Sequence, residues 1–599
     1  MDGSSRPAKR NLSFLLVILA AIVVTASQLD LTPASIFARL SQGDNDDILR
    51  FLSVRSFLQG QSWFDMTQYR VLAPEGLSLH WSRYVDLMIA ALVSALSLVV
   101  SSQTAEALAL VFWPLTLFAV LVLVTALNAK RVLGPEVAVV AVFSLITWPI
   151  FLEGYFAATR VDHHNVQILL LTVLIFSLAG PSASLKSGII GGAAAAVSLA
   201  IGLETALAIG LAGVILALRT AYNPEDEAPQ LLGFVCTTAL LAVLLFLGQT
   251  PANELLTPYC DELSPPFLAL LGAGAVLVWV FRSLALRTQK LHLRLTLLLC
   301  IGIVGALVAV ALLNHCRGGP YGNLPQSVRD IIHTRIVEAR PAIEAILTGE
   351  QAVYISLVPV MAAVVFAPLA WFASRRTQTP GSSRAVAVFF AFSLLGLLGM
   401  LSQVRFVVLA AAAVPTLTGY VLHTFLMMSA NRGTRAIGIV AVTLAISLTL
   451  LFPWTQPVIA SRLSLPDSST QEQRDVWDKG CRSIEHLLEL SQYSAGVVLA
   501  PDPIGSSLLL VTDHTIIAAP YHRSEVAMGN IEVPFTLPET EFRELVHSRH
   551  VDYVVTCRLL KKGANESFFR EMALGTEEIG FQRLALSEDS PLIAYRVIR

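Results

Sequence analysis

A mostly helical, polytopic membrane protein with about thirteen spans and a small C-terminal α/β domain outside the bilayer is the fold class this 599-residue sequence predicts. Three observations predict it. The chain is 55% hydrophobic and only 14% charged, with a mean hydropathy of +0.66, where a soluble protein carries roughly a quarter charged residues. Its apolar runs recur at lengths that cross roughly 30 Å of hydrocarbon. The membrane composition stops near residue 461, where short strands and helices separated by Pro and Gly begin.

The N-terminal run from Asn11 to Leu29 follows Arg6, Lys9 and Arg10. It is long and lacks a small-x-small cleavage site, so an uncleaved first helix is expected rather than a signal peptide. The further span candidates are 107–127, 135–152, 166–180, 186–203, 205–219, 231–249, 268–285, 293–313, 352–374, 384–402, 405–428 and 435–454. Residues 84–100 are also apolar, and their status decides the topology. If they do not cross, the cytoplasmic loops collect Lys130, Arg131, Lys186, Arg219, Arg287, Lys290, Arg294, Arg375, Arg376, Arg384, Arg432 and Arg435. If they do cross, all of these move outside, against the positive-inside rule. The segment is therefore read as a helix lying in or re-entering the interface. With the N-terminus cytoplasmic, an odd number of spans places the tail outside. The expectation is a transmembrane domain over 1–460 and a periplasmic domain over 461–599, in a bacterial inner membrane.

On that topology the external loops are 31–106, 153–165, 250–267 and 314–351, and the acidic motifs lie in them. The first is Asp44-Asn45-Asp46-Asp47, at the head of an amphipathic helix. Carboxylates favour a helix N-terminus through the macrodipole, but so many beside a bilayer repel one another unless a cation neutralises them. The second is Asp162-His163-His164. An Asp and a His two apart in a turn can reach one divalent ion, and a carboxylate-dominated site suits Mn²⁺ or Mg²⁺. The third is Arg335-Ile336-Val337-Glu338, in a late loop begun by Gly318-Gly319-Pro320-Tyr321-Gly322. Such a loop is a candidate lid; the plainer role for Glu338 is an ion pair with Arg335 or Arg340. At the mouth of a later span, Arg405 either snorkels or grips a phosphate. His80 and Trp81 are either aromatic-belt residues or contacts to an acceptor.

The tail carries strands at Gly496–Ala500, His514–Ala519 and Val551–Cys557, with a helix over Gln473–Leu490. Site residues often follow strand ends; here Asp502, Tyr521 and His522 occupy such places as candidate acceptor contacts. External Cys260 and Cys316 either pair or stay free, and spacing does not decide between these.

With those residues in place, the chain resembles the catalytic subunits of archaeal and bacterial oligosaccharyltransferases, membrane glycosyltransferases of the GT-C superfold. Asp44-Asn45-Asp46 resembles that family's first acidic motif, Asp162-His163-His164 its second, Arg335 to Glu338 its late-loop motif, and Arg405-Phe406 its phosphate-facing arginine. The resemblance implies Asp44, Asp46 and Glu338 as catalytic residues. It implies a divalent cation held by Asp44, Asp46, Asp162 and His164, and a polyprenyl-linked sugar donor whose phosphate meets Arg405. The family's Trp-Trp-Asp acceptor signature is replaced by Ala500-Pro501-Asp502-Pro503, while Trp477-Asp478-Lys479-Gly480 echoes it in the wrong place. The expected acceptor is therefore a glycan, lipid or protein other than a standard asparagine sequon. A metal-free O-antigen-type polymerase or ligase and a lipid-linked glycan transporter are the alternatives. A net charge of -2 leaves no electrostatic footprint for nucleic acid.

Overall fold

A computed structural model describes residues 30–322, 324–452, 455, 480–558, 567–576 and 578–599. The expected first span, the start of the tail helix and Trp477 to Lys479 lie outside the described residues.

The first external loop is folded, not extended. It holds α1 (Pro33–Ser41), α2 (Asn45–Leu58), a small hairpin of β1 (Thr67–Gln68) and β2 (Leu77–Ser78), and α3 (Arg83–Leu96). α3 is 14 residues long, shorter than a membrane-crossing helix. Next come α4 (Ser102–Leu133) and α5 (Pro135–Thr147), joined at Gly134, whose φ of +104° lets the chain reverse before a proline starts the next helix. The helical body continues with α6 (His164–Ala179), α7 (Leu185–Ile201), α8 (Ala206–Tyr222), α9 (Pro224–Gln249), α10 (Pro265–Ala285) and α11 (Leu291–Leu312). Helices α7 and α9 lie backbone to backbone, because a Cβ on Gly188 would stand 2.1 Å from the Gln230 carbonyl oxygen.

After the late loop, which contains α12 (Gln326–Arg335), come α13 (Gln351–Ser374), α14 (Pro380–Met400), α15 (Val414–Ala430) and α16 (Arg435–Ile446). Among the described residues six helices are long and apolar enough to cross a membrane, or seven if the pair Val404–Ala411 and Val414–Ala430, bent by 62°, is one broken span. Helices α5 to α8 are apolar but only 13–17 residues long. Apolar helices occupy the expected runs among the described residues, but these residues alone do not show thirteen full spans.

The tail forms a five-stranded sheet in the order β4-β3-β5-β7-β6, from β3 (Val497–Leu499), β4 (Thr515–Ile516), β5 (Tyr553–Cys557), β6 (Phe581–Arg583) and β7 (Leu592–Val597). β3 runs parallel to β4 and β5, while β7 is antiparallel to both its neighbours. One apolar core joins this domain to the first loop, with Ile48, Leu49 and Trp81 packed in the same cluster as Leu508, Ile516 and Tyr553. Buried polar contacts stitch the same seam: Arg482 donates to the carbonyls of Gln42 and Gly43, and Ser507 to that of Ser41. A separate cluster docks the late loop on the tail through Val328, Ile331 and Ile332 against Ala518, Met528 and Ile531. Disulfides join Cys260 to Cys316 and Cys481 to Cys557. The first ties the root of the late loop to the segment after α9.

Candidate active site

The N-terminus of α2 is the floor of the site. Asp44 caps it, its side chain accepting the Asp46 N–H at 3.1 Å. Asp46 is held by Tyr521 of the tail, whose hydroxyl donates to its Oδ1 at 2.7 Å. Asp47, 1% exposed, turns inward: its Oδ1 accepts the N–H groups of Val161 and Asp162 at 2.8 and 2.9 Å, and its Oδ2 pairs with Arg160 at 2.7 Å. Arg160 also reaches Asp44 at 3.0 Å. The third acidic residue is therefore a strut that holds the Asp162 segment against the first motif. Thr159, at φ +76°, lies in the strained turn that delivers this segment.

Asp162 is buried, its Oδ1 2.7 Å from His163 Nδ1 and 3.7 Å from Arg50 Nη2, with His164 Nε2 3.7 Å from Oδ2. His163 Nε2 meets Glu204 Oε1 at 3.2 Å, and Gln167 holds the other Glu204 oxygen at 2.7 Å. Against the penalty of burial, His163 and His164 keep Asp162 well below the usual carboxylate range, while Asp162 and Glu204 lift His163 to about 10. Burial pushes Asp46 well above its ordinary value, reinforced by Asp44, Asp162 and Glu338. The three predicted acidic motifs thus feel one another's charge.

A divalent cation fits this setting. Ligand atoms of Asp162, His163 and His164 lie within 4.8 Å of one another. His164 Nδ1 is buried with no hydrogen-bond partner among the described residues. Asp46 falls outside the 4.8 Å set, although its carboxylate couples to Asp162. Asp44 is half exposed and already engaged by Arg160, which leaves Asp46 the better ligand of the two.

Glu338 is 3.2 Å from Arg405. Of the expected partners, Arg340 is engaged elsewhere: its guanidinium donates to the carbonyls of His333 and Thr334, and its own carbonyl accepts the Val404 N–H at 2.9 Å. This backbone bond brings the late loop onto the broken span, so Glu338 faces Arg405. Arg405 Nη1 also donates to the Tyr321 hydroxyl at 3.1 Å. Around Arg405 opens a cavity of about 220 Å³ lined by both apolar (Leu203, Leu207, Phe406, Leu409) and polar (His80, Glu204, Asp261, His522) residues.

The acceptor candidates divide. Asp502 accepts from the Asn45 amide at 2.7 Å, beside the acidic motif. Tyr521 reaches Asp46 itself. Trp81 is no belt residue: it is 4% exposed, with the Arg50 guanidinium over its ring at 4.5 Å and Tyr521 against its edge. The His80 and His522 rings meet at a tilt, centroids 4.8 Å apart, and burial keeps His80 neutral by lowering it to about 3. Asp261, between them, is already satisfied by Arg523 at 2.7 Å and His522 at 2.9 Å.

Sequence reasoning missed Arg50, Arg160 and the roles of Asp47 and Glu204. Arg50 is fully buried and bridges Asp86 at 3.1 Å to the Asp162 pocket. Only Glu204 carried a legible signal, an ionisable residue at the junction of two apolar runs.

No protein-family model and no curated protein matches the chain. Solved structures do. The oligosaccharyltransferase AglB of Archaeoglobus fulgidus, in complex with an inhibitory peptide and a dolichol-phosphate, is 14% identical, with a TM-score of 0.60 over 90% of this chain and 69% of that one. The same enzyme tethered to an acceptor peptide containing the NVT sequon gives 14% identity and a TM-score of 0.60 over 97% and 74% of the two chains. Its complex with Zn and sulfate gives 13% and 0.56 over 95% and 73%. At these identities the likeness is one of fold: this chain shares the fold of that oligosaccharyltransferase.

Proposed function

We propose that this chain is a metal-dependent membrane glycosyltransferase that moves a sugar or oligosaccharide from a polyprenyl phosphate or pyrophosphate to an acceptor at the external face of the membrane. The tail is taken as periplasmic, in a bacterial inner membrane, and the acceptor as something other than a standard asparagine sequon. The observation that carries the reading is that Asp47 pins the Asp162 segment against the first acidic motif, while Glu338 meets Arg405 at a cavity of mixed apolar and polar lining. Support comes from the shared fold with an enzyme whose structures hold dolichol-phosphate, and Zn with sulfate.

Asp46, Asp162 and His164 would hold a divalent cation, Mn²⁺ or Mg²⁺. When bound, the ion offsets negative charge on the departing phosphate. Arg405 adds a second, fixed cation to the same oxygens. In the present arrangement Glu338 neutralises Arg405; an entering phosphate would take over that guanidinium and free Glu338 to face the acceptor. Whichever of Asp44 and Asp46 does not hold the ion would instead accept the nucleophile's proton. No covalent intermediate is needed, and inversion at the anomeric carbon is the expected outcome.

The test is a deletion strain complemented with wild-type or Asp162→Ala protein, its polyprenyl-linked glycans analysed by mass spectrometry. One lipid-linked sugar should accumulate in the deletion and in the Asp162→Ala strain at normal protein level. Full clearance of that lipid by Asp162→Ala rejects the reading. Transfer that survives EDTA would favour the metal-free polymerase or ligase class.

A further inference from the structure

A second cavity, of about 320 Å³, lies outside the machinery described so far, a volume in the range of small-molecule sites. It shares a wall with the Arg405 cavity. Three successive pairs of residues build that wall, each pair sending one member to either side. His80, Asp261 and His522 face Arg405, while Trp81, Glu262 and Arg523 face the second cavity.

The two chambers have opposite chemistry. In the second, the cations are committed elsewhere. Arg83 donates to the carbonyls of Trp63 and Asp65 and to Asp86. Arg523 is taken by Asp261 and Glu262 at 2.7 and 3.1 Å. The carboxylates keep spare capacity. Glu254 accepts one hydrogen bond, from the Tyr259 hydroxyl at 3.2 Å, and Glu262 accepts from Arg523. Each carboxylate offers about four lone-pair sites. Burial, with Asp261 beside it, raises Glu262 to about 7 against the pull of Arg523. Phe64, 45% exposed, supplies an aromatic face at the rim. Such a chamber repels phosphate and calls for a ligand rich in hydrogen-bond donors with an apolar face to lie on an aromatic ring.

We infer that this cavity is a glycan subsite, which takes a sugar unit of the lipid-linked donor through its hydroxyl or amino groups, on the far side of the wall from the donor's phosphate. The inference rests on the glycosyltransferase reading and names the place where that enzyme holds its sugar. The shared wall makes the assignment to the donor, since a molecule whose phosphate meets Arg405 has its glycan within reach of the adjoining chamber.

The experiment uses the full-length protein in detergent and three kinds of probe: polyprenyl phosphate, the same lipid carrying one hexose, and a panel of methyl hexosides with glucosamine. Saturation-transfer NMR reads the free sugars and equilibrium binding reads the lipids. At least one free sugar is expected to bind the wild type without competition from polyprenyl phosphate. The Phe64→Ala, Glu254→Gln double variant should lose that signal at least tenfold and bind the sugar-bearing lipid no better than bare polyprenyl phosphate. Its unchanged affinity for the bare lipid shows that it is folded. Arg405→Ala should do the reverse, keeping the sugar and losing the bare lipid. A panel in which no sugar binds, or sugar binding that the double variant leaves intact, overturns the glycan subsite. Failure of the wild type to bind polyprenyl phosphate would instead overturn the parent reading.

Discussion

Replacing Asp47 by asparagine tests whether the metal centre depends on a residue that never touches the ion. Asp47 donates nothing to the site. It accepts two N–H groups, at 2.8 and 2.9 Å, and one guanidinium at 2.7 Å. In Asp47→Asn the amide oxygen can keep both N–H bonds, but as neutral rather than charge-assisted ones, a loss of about 1 kcal/mol each. The amide nitrogen would then face Arg160 as a second donor. Arg160 retains Asp44 at 3.0 Å, so its charge is not stranded. The sum, about 2 kcal/mol or somewhat more, is paid in the positioning of Asp162 rather than in global stability. It converts to a 10- to 100-fold loss of metal affinity, the usual range for partners of metal ligands. The assay is titration of Mn²⁺ into purified full-length protein, with free Mn²⁺ read by EPR. Asp162→Ala should abolish binding and Asp47→Asn should weaken it within that range. Affinity within threefold of wild type for Asp47→Asn would refute the strut argument.

Arg405→Ala should abolish retention of polyprenyl phosphate in an equilibrium binding measurement, whereas Arg405→Lys should restore only part of it, since a point charge replaces a fork. Arg50→Ala leaves Asp86 buried with Arg83 alone and removes a cation from beside Asp162. Its cost is about 3–5 kcal/mol, seen as a fall in thermal midpoint and membrane yield, while the volume-matched Arg50→Met, Asp86→Leu pair should recover part of the stability. His80 has its basicity depressed by burial to about 3, below the unfolded value of 6.5. The unfolded chain therefore binds more protons, and the associated stability is complete above about pH 6.5 and drains away as pH falls toward 3. His80→Gln should flatten that acid limb of a thermal-shift profile between pH 6.5 and 4.5; an unchanged profile would show that His80 is freely solvated. A non-reducing peptide map should recover Cys260 joined to Cys316 and Cys481 to Cys557.

By itself the sequence determined what composition and local pattern control. Apolar runs of near-membrane length, the arginines and lysines between them, and the shift in composition at the tail are one-dimensional signals, because the hydrocarbon interior acts on each segment separately. The acidic motifs were legible for a related reason: Asp44 to Asp47 and Asp162 to His164 concentrate charge where isolated charge is costly, so they stand out without any knowledge of the fold. What only the tertiary structure decided is partnership. That Asp47 braces the second motif while Asp46 faces the tail, that Glu338 answers Arg405 rather than Arg340, and that Tyr521 closes over Asp46 from 475 residues away are long-range pairings. Neighbouring carboxylates in one helical turn look identical in sequence. They part company only because a helix turns each by about 100°, so that one meets solvent, one the tail and one the buried Asp162 segment.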